Sequence, residues 1–266
     1  MTRLPVPDGQ RHHDYSGTAF PLNRPQGACR VRLMIKTAIF DFDGTLADTL
    51  PLCREAFRRA VRDLDGRTAT DEEIESQFGP DDLGVIQRLL PGKPELHERG
   101  RELFIRYYRE LHPELAPSPF PGAHELLHAL RNRGIRLAMV TGKRLESADI
   151  SLRFFHLDGF FPILETGSPE GGVKPDRIKR ALNRLNSSAE EAVYIGDSPT
   201  DVDACRAVPI RILAAGWAAE ADMEGLKERK PDYLLTRFED MDRFFREHAS
   251  GGPGEPMPPH GGNEGL

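Results

Sequence analysis

Short apolar runs recur along the middle of the chain at 35–40, 135–140, 161–164, 192–195, 210–213 and 233–235. Segments of helix length, such as 123–133 and 145–155, separate them. Runs this short, without a polar face, suit strands buried on both sides. Strands that alternate with helices predict βαβ units and a single parallel sheet. Right-handed crossovers then place helices on both faces of that sheet. The fold class this predicts is α/β, with a Rossmann-like parallel core.

One connection is too long for a simple crossover. Residues 50–118 intervene between the first two strands and read as helical throughout. Leu52, Ala56, Ala60 and Leu64 fall on one stripe of a helix. Thr70 and Glu73 have the spacing of a capping box, opening a helix expected to run to Phe78. Segments 83–90 and 96–111 continue the pattern, with breaks at Gly79-Pro80 and Pro91-Gly92-Lys93-Pro94. Pro117, Pro119 and Pro121 mark the return to the sheet. The expected organisation is a core of 34–49 and 119–247, with 50–118 as an inserted helical cap domain.

Both ends read differently. Residues 1–33 carry scattered prolines and no sustained periodicity, and 248–266 are rich in Gly and Pro. Neither can bury enough apolar surface to order itself, so both are expected to be disordered. The first 33 residues hold five arginines but only one serine, with Asp8 and Asp14 among them. That composition argues against a transit peptide. Met34 directly precedes the first strand, and a native start at Met34 is expected.

The 266 residues suffice for a large domain or two modest ones. Charged residues make up 29% of the chain and the net charge is -6, with signs mixed rather than blocked. A nucleic-acid partner is therefore not expected. No apolar run approaches the roughly 20 residues of a membrane helix. Cys29, Cys53 and Cys205 are widely spaced and odd in number, which suits a reducing cytoplasm. Nothing in the sequence bears on oligomeric state.

The polar residues that carry chemistry stand at the ends of the predicted strands, where open parallel sheets bind ligands. Asp41-Phe42-Asp43-Gly44-Thr45 follows the first, with Gly44 placed for a sharp turn. Thr141-Gly142 follows the second and offers a hydroxyl and backbone N–H groups to an anion. Lys174-Pro175 opens a helix after Gly171-Gly172. Gly196-Asp197-Ser198-Pro199-Thr200-Asp201 follows the fourth, with Ser198 as N-cap and Pro199 at the first helical position. Four carboxylates on one sheet edge call for a cation, and oxygen donors without a His/Cys cluster favour Mg²⁺ over zinc. Carboxylate, metal, lysine and hydroxyl are the parts of phosphoryl transfer.

These four segments, in this order, resemble those of the haloacid dehalogenase-like superfamily, in its phosphoglycolate phosphatase-like branch with a helical cap. The resemblance covers about residues 34–247. It implies that Asp41 is a nucleophile and Asp43 a general acid/base that must bring a proton to the departing alkoxide. It implies that Thr141, with Gly44 and Gly142, binds the phosphoryl group and that Lys174 stabilises its charge. Mg²⁺ would be held by Asp41, Asp197, Asp201 and the backbone carbonyl of Asp43. The expected activity is hydrolysis of a small phosphorylated metabolite. Lys174-Pro175-Asp176-Arg177 lacks the second proline common in the family. A sugar-phosphate mutase, or a non-catalytic binding protein on the same fold, are the alternatives. Asp43 speaks against a dehalogenase. Phosphonate hydrolysis needs a cap lysine, and the insert has only Lys93, in a turn.

Other polar residues have plainer readings. Asp48 and Thr49 are expected to cap the first insert helix. Gly79-Pro80 reads as a turn and Arg88 as a solvated helix face. Trp217 reads as packing, His124 and His128 as lying at the core edge or in solvent, and Cys53 as a buried thiol.

Overall fold

The computed structural model describes residues 34–249. The sequence expectations for 1–33 and for the tail from 250, and Cys29, lie outside the described residues. Six parallel strands form one sheet: β1 (Thr37–Phe40), β2 (Arg136–Val140), β3 (Leu164–Glu165), β4 (Ala192–Gly196), β5 (Arg211–Ala215) and β6 (Tyr233–Leu235), in the order β3-β2-β1-β4-β5-β6. The α/β class read from the apolar runs is the observed one. One run behaves differently. Of 161–164 only Leu164 falls within β3, although the Ile163 carbonyl already accepts from the Met139 N–H of β2 at 2.9 Å, and Phe161 is spent on packing. The Phe161 ring meets Phe40 edge-on at 6.1 Å instead.

The insert forms α1 (Leu50–Asp65), α2 (Asp71–Glu75), α3 (Asp82–Leu89) and α4 (His97–Leu115). Phe57 of α1 stacks on Phe104 of α4 with ring centroids 4.0 Å apart. Such a stack adds about 0.5–1.5 kcal/mol to the burial of the two rings. Thr70 caps α2 by accepting from the Glu73 N–H, yet the Glu73 carboxylate turns to Arg67 and α2 stops at Glu75, short of Phe78. The sheet domain continues with α5 (Ala123–Asn132), α6 (Leu145–Phe154), α7 (Lys174–Arg184), α8 (Pro199–Ala207), α9 (Met223–Glu228) and α10 (Asp240–His248).

Alternation along the strands decides what each face packs against. Ala38, Phe40, Leu137, Met139, Val193 and Ile195 face one way, against Leu126 and Leu130 of α5, Phe244 of α10 and the insert. Ile39, Ala138, Val140, Tyr194 and Ile212 face the other, against Ile178 and Leu182 of α7 and Val202 of α8. The last described residues extend the sheet domain slightly past 247. Ile35 N–H donates to His248 O at 2.8 Å, and Ala249 bridges to Ile35.

Polar contacts tie the insert to the sheet domain, Arg101 with Glu146 at 2.8 Å among them. Arg54 of α1 pairs with Glu220 at 2.7 Å, Asp81 with Arg144 at 3.2 Å, and the Ser147 hydroxyl donates to Asp82. Among the described residues no helix is long and apolar enough to cross a membrane.

Candidate active site

β1 and β4 are neighbours, but the chain leaves them toward opposite halves of the sheet. Loops at their carboxyl ends therefore diverge and open a crevice. Asp41 is the first residue past β1, and its N–H donates to Ile195 O of β4 at 2.8 Å. Asp197 follows β4 directly. Ser198 accepts from the Asp201 N–H, and Asp201 returns the bond to the Ser198 N–H, a complete capping box that opens α8. The turn after Asp41 depends on Gly44, which sits at φ +66°. A Cβ there would lie 2.0 Å from Asp197 Oδ2. Only glycine lets the two loops approach this closely.

Asp41, Asp197 and Asp201 each offer an oxygen, and these oxygens lie within 4.8 Å of one another. Lys174, the first residue of α7, reaches into the group, with Nζ 2.6 Å from Asp41 Oδ2 and 2.5 Å from Asp201 Oδ1. The Tyr194 hydroxyl also donates to Asp201 Oδ1 at 3.3 Å. Burial raises the Asp41 carboxyl to about 6, with Lys174 opposing and Asp201 reinforcing the shift. Burial, then Asp201 and Asp41, hold Asp197 well above the ordinary carboxylate range. Burial works against the Lys174 ammonium, but Asp201 and Asp41 outweigh it and keep the ammonium charged. One cation among three acids, two of them buried and Asp197 half-buried, leaves a surplus of negative charge. That surplus, with hard oxygen donors only, fits Mg²⁺.

Asp43 faces elsewhere. Its Oδ1 lies 3.0 Å from Lys143 Nζ and accepts from the Thr49 hydroxyl. Its carboxylate is thus not among the clustered metal-ligand oxygens, which leaves the backbone carbonyl for any metal role. A cavity of about 580 Å³ joins these groups to the insert. Phe57, Phe78 and Val85 roof it, while Asp41, Asp197 and Lys174 line its floor.

Residues 38–215 match the family model described as haloacid dehalogenase-like hydrolase. The chain belongs to this family. It is 33% identical over 215 residues to a Caldanaerobacter subterraneus protein described as a candidate pyrophosphatase PpaX, an alignment covering 79% of this chain and 92% of that one. It is 25% identical to a phosphoglycolate phosphatase of Aquifex aeolicus, over 80% of this chain and 98% of the relative. In fold it matches the crystal structure of a predicted phosphoglycolate phosphatase from Haemophilus somnus, with TM-score 0.68 and 21% identity. That match covers 79% of this chain and 97% of the other.

Within this haloacid dehalogenase-like hydrolase, the residues singled out from the sequence differ in how they meet the cavity. Thr141 is buried, its hydroxyl accepts from the Lys143 N–H at 3.2 Å, and its neighbour Gly142 lines the cavity. The Gly44 N–H closes its turn by donating to Ala47 O at 2.9 Å. Thr49 is the N-cap of α1 but makes no side-chain cap bond, because its hydroxyl is committed to Asp43. Gly79 and Pro80 line the cavity, whereas Arg88 reaches Gln77 O at 3.4 Å on the surface.

The plainer readings of Trp217, the two histidines and Cys53 agree with the contacts found. Trp217 packs edge-on against Phe238 and donates to Thr45 O at 3.1 Å. His124 bonds Phe155 O at 2.8 Å, and His128 lies against the Phe160 ring. Burial pushes the Cys53 thiol up to about 12, which makes it inert. Lys143 and Asp82 were missed. Lys143 directly follows Thr141-Gly142, but nothing local signals that a lysine there is buried.

Proposed function

We propose that this hydrolase is a Mg²⁺-dependent phosphatase of small phosphomonoesters, working through an aspartyl-phosphate. The observation that carries the reading is the convergence of Asp41, Asp197 and Asp201 with Lys174 beneath one cavity. Asp41 attacks phosphorus in line as the ester P–O bond breaks, and Asp43 gives a proton to the departing alkoxide. Asp43 then takes a proton from water, which cleaves the acyl-phosphate and returns Asp41 with inorganic phosphate. The Thr141 hydroxyl and the Gly142 N–H hold the phosphoryl oxygens, and Lys174 offsets their charge. Asp41, Asp197, Asp201 and the Asp43 carbonyl would hold Mg²⁺, which neutralises charge on the transferring group when bound.

The helical insert, acting as a cap over the cavity, supports a small substrate. The relatives' names point to compact polyanions, the anhydride pyrophosphate or the ester phosphoglycolate, as the first substrates to try. Phosphate release from a panel of metabolites and p-nitrophenyl phosphate tests the reading. Turnover should need Mg²⁺, stop with EDTA, and be lost in Asp41→Asn. Absence of turnover on every ester would reject it, and a requirement for a bisphosphate would identify a mutase.

A further inference from the structure

We propose that Lys143 is a positioning residue for Asp43. With Thr49 it occupies Oδ1 and leaves Oδ2 as the oxygen that carries the proton. The inference rests on the acid/base reading of Asp43 above.

Among the described residues, the polar partners of the Asp43 side chain all meet Oδ1. Lys143 Nζ lies 3.0 Å away, the Thr49 hydroxyl donates to it, and Cys53 Sγ stands at 4.0 Å. An oxygen held by an ammonium and a hydroxyl has no room for a proton of its own. Oδ2 is left for the leaving group.

Lys143 is itself held in place. Its side chain is 3% exposed, and Nζ lies 3.3 Å from Cys53 Sγ and 4.5 Å from the centre of the Tyr108 ring. A carboxylate, a sulfur and an aromatic face thus surround the ammonium. Lys143 also borders the cavity, so the test below includes direct contact with a substrate anion as an outcome. Burial works against this charge, and Asp43 foremost, with Cys53, Tyr108 and Asp82, outweighs it. The seat comes from the insert, since Cys53 is on α1 and Tyr108 on α4, whereas Lys143 follows β2. Asp43 is thus aimed correctly only while the insert packs against the sheet domain.

In the step concerned, the Asp43 Oδ2–H bond breaks as the alkoxide O–H bond forms. Asp43 becomes a carboxylate, and Lys143 balances the new charge. Water later returns a proton to the same oxygen as it attacks the acyl-phosphate.

Leaving groups discriminate this role from a structural one. An alkoxide needs the proton and p-nitrophenolate does not. The test compares kcat/KM of wild type and Lys143→Met on p-nitrophenyl phosphate, on glycerol phosphate and on phosphoglycolate, with folding checked by thermal melts. The expected loss is at least about 100-fold on both alkyl esters and under about 10-fold on p-nitrophenyl phosphate. Lys143→Arg should recover about tenfold of the alkyl loss. If the Met variant does not fold, Lys143→Gln carries the same comparison. Equal losses on all three substrates overturn the role, and a loss confined to phosphoglycolate overturns it in favour of direct contact with a substrate anion. Absence of turnover by the wild type on every ester overturns the phosphatase reading and this role with it.

Discussion

Lys174 Nζ lies 2.6 Å from Asp41 Oδ2, which joins the first residue of α7 to the first residue past β1. The same ammonium is 2.5 Å from Asp201, a residue with no solvent exposure. Removing one partner of a buried ion pair strands the other charge in a poor solvent. Lys174→Met should therefore lower the stability of the metal-free protein by about 3 kcal/mol. Saturating Mg²⁺ should return much of that loss by supplying positive charge to the same carboxylates. Urea melts with EDTA and with Mg²⁺ measure both, and an equal loss in the two conditions would separate Lys174 from the metal site.

Metal binding should depend on pH with a definite sign. Burial, reinforced by Asp201, raises Asp41 to about 6, and burial holds Asp197 well above the ordinary range. A protonated carboxyl is a poor ligand, so binding must release these protons. Mg²⁺ affinity should rise with pH through about 6 and weaken below it, by up to about tenfold per pH unit for each proton displaced. Calorimetric titrations from pH 5 to 8 test this; an affinity constant across the range would contradict it.

Gly44→Ala should act through Asp197. The added Cβ would stand 2.0 Å from Asp197 Oδ2 at a backbone φ of +66°. The left-handed conformation alone costs about 1–2 kcal/mol, and the clash must also push Asp197 off the cluster. Activity should fall at least about 100-fold, with weaker Mg²⁺ binding. Gly66→Ala is the matched control. It has φ +69° and nothing within 4 Å of the added atom. It should lose stability and keep activity; similar activity losses in both variants would reduce the effect to backbone strain.

Asp82 should make stability fall with pH. Burial pushes its carboxyl up from 3.8 to about 6, partly opposed by Lys143 and by the Ser147 hydroxyl. The folded value exceeds the unfolded one, so the folded state binds more protons between them. The contribution is fully present below about pH 4 and lost as pH rises through about 6, amounting to about 3 kcal/mol. Asp82→Asn, neutral and isosteric, should match wild type near pH 4 and exceed it at pH 7 to 8. Denaturant melts at the two pH values decide it.

Much of the fold was legible because apolar runs and polar strand ends are local signals. The runs at 135–140, 192–195 and 233–235 became β2, β4 and β6 with shifts of at most one residue. The third run misled in its extent, because Phe161 is apolar for packing, and pairing begins only at the Ile163 carbonyl. At the site, Asp41, Asp197 and Lys174 could be picked out from their places after strands. The Thr49 hydroxyl could not be read correctly, since its partner Asp43 is one that only the folded chain presents. Lys143 was invisible for the same reason.

By itself the sequence determined which residues stand at strand ends and, through the period of two along each strand, which face of the sheet each apolar side chain enters. Only the tertiary structure decided how the charges pair: Lys174 with Asp41 and Asp201, and Lys143 with Asp43 over the Tyr108 ring. The strength of those pairings depends on separation through space and on exclusion of water. Lys174 and Asp41 are 133 positions apart in the chain, and no local pattern encodes either quantity.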